Sequence, residues 1–169
     1  MTERAHDQLP DTWSTVAAGY DRSFAGYTGA YADDLLDLVG IDAVEQVLDV
    51  AAGSGAFSLR AARLGAMVTA TDFAPGMVEL LRERFAAHGH HHCAAAVMDG
   101  QALDLPDGAF DLSVSMFGVI FFPDIDAGLR ELARVTRGGG RVAVATWDLG
   151  GFRLVDLVRD CLLYTSRCV

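Results

Sequence analysis

The stretch from Val47 to Gly55, VLDVAAGSG, decides the fold of this chain. An apolar run ends in a glycine turn, and helical sequence from Ala56 to Leu64 follows at once. Buried parallel strands read as apolar runs of this kind. Gly53 and Gly55 permit positive φ and close backbone approach. The next helix offers its first N–H groups to a negatively charged or carboxylate-bearing ligand. The turn therefore brings bare backbone against a ligand at the strand's carboxyl end. Alone, this GxG pair is weak evidence, since a tight turn that binds nothing would also produce it.

From residue 45 onward, strand and helix alternate. The predicted strands are Gln46–Ala51, Met67–Thr71, Cys93–Val97, Phe110–Ser115 and Arg141–Thr146. Between them lie a helix closed by Gly65, a helix opened by Pro75 with an apolar stripe at Met77, Leu80, Leu81 and Phe85, and a helix capped by Asp124 or Asp126 that runs to Val135. The run Gly138–Gly140 is expected to stop that last helix, and a short helical segment is expected near Phe152–Leu157. Upstream, Trp13, Val16, Ala17, Tyr20 and Phe24 follow helical spacing, Gly26 and Gly29 interrupt it, and Tyr31, Leu35, Leu38 and Val39 resume it before Gly40. This predicts N-terminal helices with a flexible middle. The alternation predicts an α/β fold, a mostly parallel sheet with helices on both faces. Ligands of such sheets bind outside the carboxyl ends of the strands, where the winding reverses.

Three carboxylates fall at those ends. Asp49 sits four residues before Gly53, where it can orient the loop and accept from an ammonium group. Asp72 ends the second strand, where a carboxylate can accept from both hydroxyls of a ribose; capping the helix near Pro75 is its plainer role. Asp99, after the third strand, can accept from an adenine amino group, or simply form an Asp-Gly turn with Gly100. Phe73 and Met77 can supply apolar surface to the adenine. A nicotinamide dinucleotide would want a third glycine where Ser58 stands. The set points to an adenosine-bearing ligand with an amino-acid tail, S-adenosylmethionine.

Composition narrows the partners. The net charge of −10 argues against a duplex nucleic-acid surface and against anionic membranes, and favours a small neutral or cationic substrate. No apolar run approaches the length of a membrane span, and the polar start lacks a signal peptide's apolar stretch, so a cytoplasmic location is expected. Cys93, Cys161 and Cys168 have no metal or redox spacing. His88, His90, His91 and His92 sit in a predicted loop with no matching distant ligand pair, and no metal is expected.

VLDVAAGSG, TDFAPGMVELLRERF, MDGQALDLPDGAFD, FDLSVSMFGVIFFPD and ELARVTRGGGRVAVATW occur in order. Through them, residues 13–148 resemble the class I S-adenosylmethionine-dependent methyltransferases, in particular the small-molecule branch that includes ubiquinone- and menaquinone-biosynthesis-type enzymes. Ala51 stands where that family usually has its first glycine. The resemblance implies a Rossmann-like sheet of order 3-2-1-4-5 and methyl transfer to a small-molecule acceptor. It implies that Asp49, Ala51, Gly53 and Gly55 line the methionine part of the cofactor and that Asp72 binds the ribose. Phe73 and Met77 would flank the adenine, with Asp99, Gly100 and Gln101 at its edge. Met116 and Phe117 would lie near the sulfonium and the acceptor, and Tyr20 would close over the cofactor. No general base is implied. Phe117, Phe121, Phe122 and Trp147 are read as pocket wall or plain core.

The expected organisation is an N-terminal helical cap (1–40), a cofactor-binding core (41–160) and a non-native tail (161–169). The tail, CLLYTSRCV, can be encoded by TGT CTC TTA TAC ACA TCT AGA TGT GTA, an inverted repeat about the Ser166–Arg167 junction that resembles a transposon end used in sequencing. On that reading the last two strands of the family fold are missing. The alternatives are a truncated, non-catalytic cofactor-binding fragment and an NAD-binding oxidoreductase.

Overall fold

A computed structural model describes residues 8–147. Pro10 opens a 30-residue helix, α1 (Pro10–Val39), where its missing N–H breaks no helical bond. Gly40, at φ +62°, closes it with an N–H that donates to the Leu36 carbonyl (2.9 Å). The helix runs without a break through Gly26 and Gly29, contrary to the flexible middle expected from sequence. For Gly29 the reason is tertiary. A Cβ there would come within 2.5 Å of the Arg60 guanidinium, whose Nε donates to Asp33 Oδ1 (2.6 Å). The glycine admits a neighbour and does not end a helix.

Beyond α1 the elements alternate: β1 (Gln46–Val50), α2 (Ser58–Arg63), β2 (Met67–Asp72), α3 (Pro75–Ala87), β3 (Ala94–Val97), β4 (Phe110–Met116), a 3-10 turn (Val119–Phe121), α4 (Ile125–Val135) and β5 (Thr136–Ala145). The five strands are all parallel, in the order β3-β2-β1-β4-β5. This is the expected order, and it reverses between β1 and β4, beside the glycine turn. In register, Val47 lies opposite Val68 of β2 and Leu112 of β4.

The structure chooses between the two candidate caps of α4, and the start of β5 differs from expectation. Asp124, not Asp126, caps α4; its Oδ1 accepts from the Ala127 N–H (2.8 Å). The fifth strand begins at Thr136 and passes through the glycine run, five residues earlier than predicted. Pairing shifts from Phe110–Thr136 to Leu112–Arg141, so the glycines form a bulge. A Cβ at Gly140 would meet the Asp111 carbonyl at 2.8 Å, which is why the bulge takes glycine. The helix expected at Phe152–Leu157 and the tail Cys161–Val169 lie outside the described residues.

The sheet is covered on both faces. On one, Val47, Val68, Leu112 and Val114 pack with Leu35 and Leu36 of α1, Phe57, and Val78, Leu81 and Phe85 of α3. On the other, Leu48, Val50 and Phe110 pack with Leu132 and Val135 of α4 and with Leu103 and Val119. A third cluster seats α1 on α3: Ala17, Trp13 and Tyr20 against Ala74, Met77 and Phe73. There the Gly76 N–H donates to Ser14 Oγ (3.1 Å), and a Cβ at Gly76 would meet Ser14 Cα at 2.8 Å. Among the described residues, no helix is long and apolar enough to cross a membrane.

Candidate functional site

A cavity of about 430 Å³ opens at the carboxyl ends of β1, β2 and β4, roofed by α1. Its floor is the turn after β1. Gly53 has φ +55°, and a Cβ added there would meet no protein atom within 4 Å. Packing does not demand glycine at this position; its bare backbone borders the space of the cavity. Gly55 differs. A Cβ there would strike Leu81 at 2.3 Å, so its glycine lets α3 approach the turn, and it does not line the cavity.

Asp72 forms the next part of the wall. Its Oδ2 accepts from the Gly53 N–H (2.9 Å) and its Oδ1 from the Ala74 N–H (2.9 Å). The two bonds fix the carboxylate between the turn and the start of α3, and each oxygen keeps a further lone pair. Burial raises its pKa, while the N–H groups of Ala74, Gly53 and Phe73 oppose the rise. Asp49 is 1% exposed and lies behind the loop, outside the cavity lining. It accepts from the Ser58 hydroxyl (2.6 Å). Burial pushes its pKa up to about 7, helped by the nearby charge of Asp72 and resisted by Ser58. Ser58, which breaks the dinucleotide motif, is thus the internal partner of Asp49.

Asp99 sits on the rim. Its Oδ1 accepts from both the backbone N–H and the side-chain amide of Gln101 (2.9 Å each), and Gln101 Oε1 accepts from the Asp124 N–H (2.8 Å). Gln101 thereby ties the loop after β3 to the N-terminus of α4. Arg134 holds the same loop from below, donating to the carbonyls of Leu103 (2.9 Å) and Leu105 (2.8 Å) and to Glu131 (2.7 Å). A Cβ at Gly100 would overlap Phe122 and Val50, so this glycine seats Phe122.

Of the sequence-predicted residues, Tyr20, Ala51, Gly53, Asp72, Phe73, Met77, Asp99, Gly100, Gln101, Met116 and Phe117 are brought together around one cavity. Phe121, Phe122 and Trp147 line it as well. Sequence reading missed Tyr27 and Thr28, Met98 and Pro123 as lining residues, and took Trp13 and Phe24 only as helix stripe. The stripe itself held the signal: Trp13, Tyr20, Phe24 and Tyr27 follow one helical face, and that face roofs the cavity.

A family model described as a methyltransferase domain matches residues 47–140, which include the glycine turn, all three aspartates and β4. The chain belongs to this family. The methyltransferase domain has the class I, Rossmann-like, S-adenosylmethionine-dependent fold. It is 42% identical over 127 residues to an uncharacterized protein of Mycobacterium tuberculosis (strain ATCC 25618 / H37Rv), covering 74% of this chain and 46% of that one. It is 36% identical over 144 residues to the malonyl-[acyl-carrier protein] O-methyltransferase of Serratia marcescens, covering 82% and 54%. A crystal structure of a SAM-dependent methyltransferase from Aquifex aeolicus superposes with a TM-score of 0.61 at 20% identity, over 76% of this chain and 68% of the other; that likeness concerns the fold. The chain spans about half the length of the curated relatives it matches.

Proposed function

We propose that this methyltransferase domain binds S-adenosylmethionine in the cavity and serves methyl transfer to a small-molecule acceptor by in-line displacement. The observation that carries the reading is the Gly53–Asp72 pair: a backbone cradle with empty space where a Cβ would stand, hydrogen-bonded to a buried carboxylate. That donor set suits a ligand with a ribose and an amino-acid tail. When bound, the cofactor supplies a sulfonium-activated methyl group, whose bond pair stays with sulfur while the acceptor's lone pair makes the new bond.

The chain's own residues then bind and orient. Asp72 accepts from the ribose hydroxyls. Phe73 and Met77 give the adenine apolar surface, and Asp99 with Gly100 and Gln101 meets its edge. Ala51 and Gly53 border the methionine end, while Asp49 and Gly55 set the shape of the loop from behind. Met116 and Phe117 face the reacting end. Tyr20 and the rest of the α1 roof exclude water, which serves an alignment-limited reaction. Among the described lining residues the charged side chains are those of Asp72 and Asp99.

Calorimetric titration tests the reading. S-adenosylmethionine and its demethylated product S-adenosylhomocysteine are expected to bind, and NAD is not; binding of NAD alone overturns the proposal. Asp72→Ala is expected to weaken S-adenosylhomocysteine at least about tenfold, the loss of charge-assisted hydrogen bonds. Undiminished affinity in a folded Asp72→Ala variant would remove the ribose role.

A further inference from the structure

We infer that the chain holds a second binding site, a phosphate-group site behind the glycine turn, built from arginines and histidines of α2, α3 and the histidine-rich loop after α3. It stands apart from the methyltransferase reading, because none of its charged residues borders the cofactor cavity.

The glycine turn separates a smaller cavity, of about 110 Å³, from the first; Ser54 and Ala56 border both. The charged lining of the smaller one is Arg60, Arg63, Arg84, His88 and His90. The chain carries 23 acidic residues against 13 arginines, yet none of the described acids lines this cavity. Elsewhere, arginines close on carboxylates: Arg134 on Glu131, Arg137 on Asp111, Arg141 on Glu45. Arg60 likewise reaches Asp33, which is outside the lining. Arg63 makes no ion pair among the described residues. Its Nε donates to the Leu59 carbonyl (3.3 Å), which leaves its two terminal amino groups for a ligand.

The fold holds these donors in place. Arg60 Nη1 donates to the Ala56 carbonyl (3.0 Å) and Arg84 Nη1 to the Ser54 carbonyl (2.9 Å), both in the turn. His88 donates Nδ1–H to the Arg84 carbonyl (2.8 Å), so Nε2 is the nitrogen on which it gains a proton. Its ring lies parallel to that of His90, with centroids 6.1 Å apart and planes 9° apart. His90 Nε2 is buried with no hydrogen-bond partner among the described residues. Burial holds the His90 pKa down, and the neighbouring charges of His92, His88 and Arg63 add to the effect. Like charges gathered this closely repel, and a dianion relieves the repulsion. Guanidinium forks match the oxygen geometry of phosphate. A tetrahedral group can meet donors arriving from three elements, whereas a planar carboxylate presents only two oxygens.

NMR of the histidine ring protons tests the site, at constant ionic strength set with chloride. Sulfate is the first probe, since it stays a dianion while histidine titrates. It is expected to raise the His90 pKa by about one unit, because a nearby anion favours the imidazolium; His90→Gln assigns the signal. Inorganic phosphate and glycerol 3-phosphate are then titrated at fixed pH. Phosphate is expected to give saturable shifts with a Kd of about 1 mM or tighter. Glycerol 3-phosphate binding at least as tightly makes a phosphate monoester the ligand; weaker binding makes it the free ion. Arg63 is exposed, so its replacement tests the site without disturbing the core. Arg63→Gln is expected to weaken phosphate about tenfold, and Arg63→Lys by less. Arg130→Gln removes the same charge on α4, outside the lining, and is expected to change nothing. An unmoved His90 pKa, no saturable shift with phosphate, or equal losses in Arg63→Gln and Arg130→Gln would overturn the inference.

Discussion

Ala51 has φ +58°, a left-handed conformation that suits glycine and costs other residues on the order of 1 kcal/mol. A glycine at this position, which the resemblance to the class I methyltransferases leads one to expect, would hold the same φ without that cost. Ala51→Gly is expected to raise the stability of the fold by up to about 1 kcal/mol, part of it cancelled by the freer unfolded chain; urea unfolding measures it. Asp49 gives a second expectation. Its pKa rises from an ordinary 3.8 to about 7 in the fold, so the folded protein holds a proton that the unfolded chain has released. The associated stability is fully present below pH 3.8, declines as the pH rises, and is gone above about pH 7. Asp49→Asn is therefore expected to flatten the fall in melting temperature between pH 5 and pH 8. A slope as steep as that of the parent protein would contradict it. The roles of these residues were unequally legible in sequence. The spacing of Gly53 and Asp72 follows from one turn, one helix and one strand, which is local information. That Asp49 lies beneath the loop, and Gly55 against Leu81, depends on packing between elements, and no local pattern records it.

At the scale of elements, α1 decides what the cavity is roofed with, and it is seated through two glycines that are not its C-cap. Gly29 admits the Arg60 guanidinium, and Gly76, in the first turn of α3, admits the backbone of Ser14. Gly76→Ala is expected to displace α1, destabilise the protein by about 1–3 kcal/mol as overpacking does, and weaken S-adenosylhomocysteine. Thermal unfolding and calorimetry read the two effects. Arg134 plays the equivalent part beneath Asp99, joining Leu103, Leu105 and Glu131. Arg134→Ala is expected to lower the urea midpoint of unfolding, since it leaves carbonyls and Glu131 without their charged donor. The alternation of elements was legible because strand and helix periods differ. The continuity of α1 was not, because glycine reads as a breaker until its neighbour is known. The early start of β5 was hidden for the same reason: Gly138–Gly140 look like a stop, yet Gly140 is required by the carbonyl of Asp111 beside it.

Over the whole molecule, the sheet and α1 are joined at both ends of the helix. Near its start, Ser14 meets Gly76; at its end, Arg141 of β5 donates to the carbonyls of Val39 (2.7 Å) and Gly40 (2.8 Å) and pairs with Glu45. A ligand held between roof and floor should therefore stabilise the fold as a unit. At about one hundred times its dissociation constant, S-adenosylhomocysteine is expected to add about 2.7 kcal/mol to the unfolding free energy, measured by urea denaturation at two ligand concentrations. The walls of the cavity also differ in origin. Gly53 of the floor, Asp72 of the wall and Asp99 on the rim lie within the stretch matched by the family model, residues 47–140. Trp13, Tyr20, Phe24 and Tyr27 come from before that stretch and Trp147 from after it. On the proposed reading, exchange of those flanking segments would change the roof and far wall that an acceptor meets and leave Gly53, Asp72 and Asp99 in place.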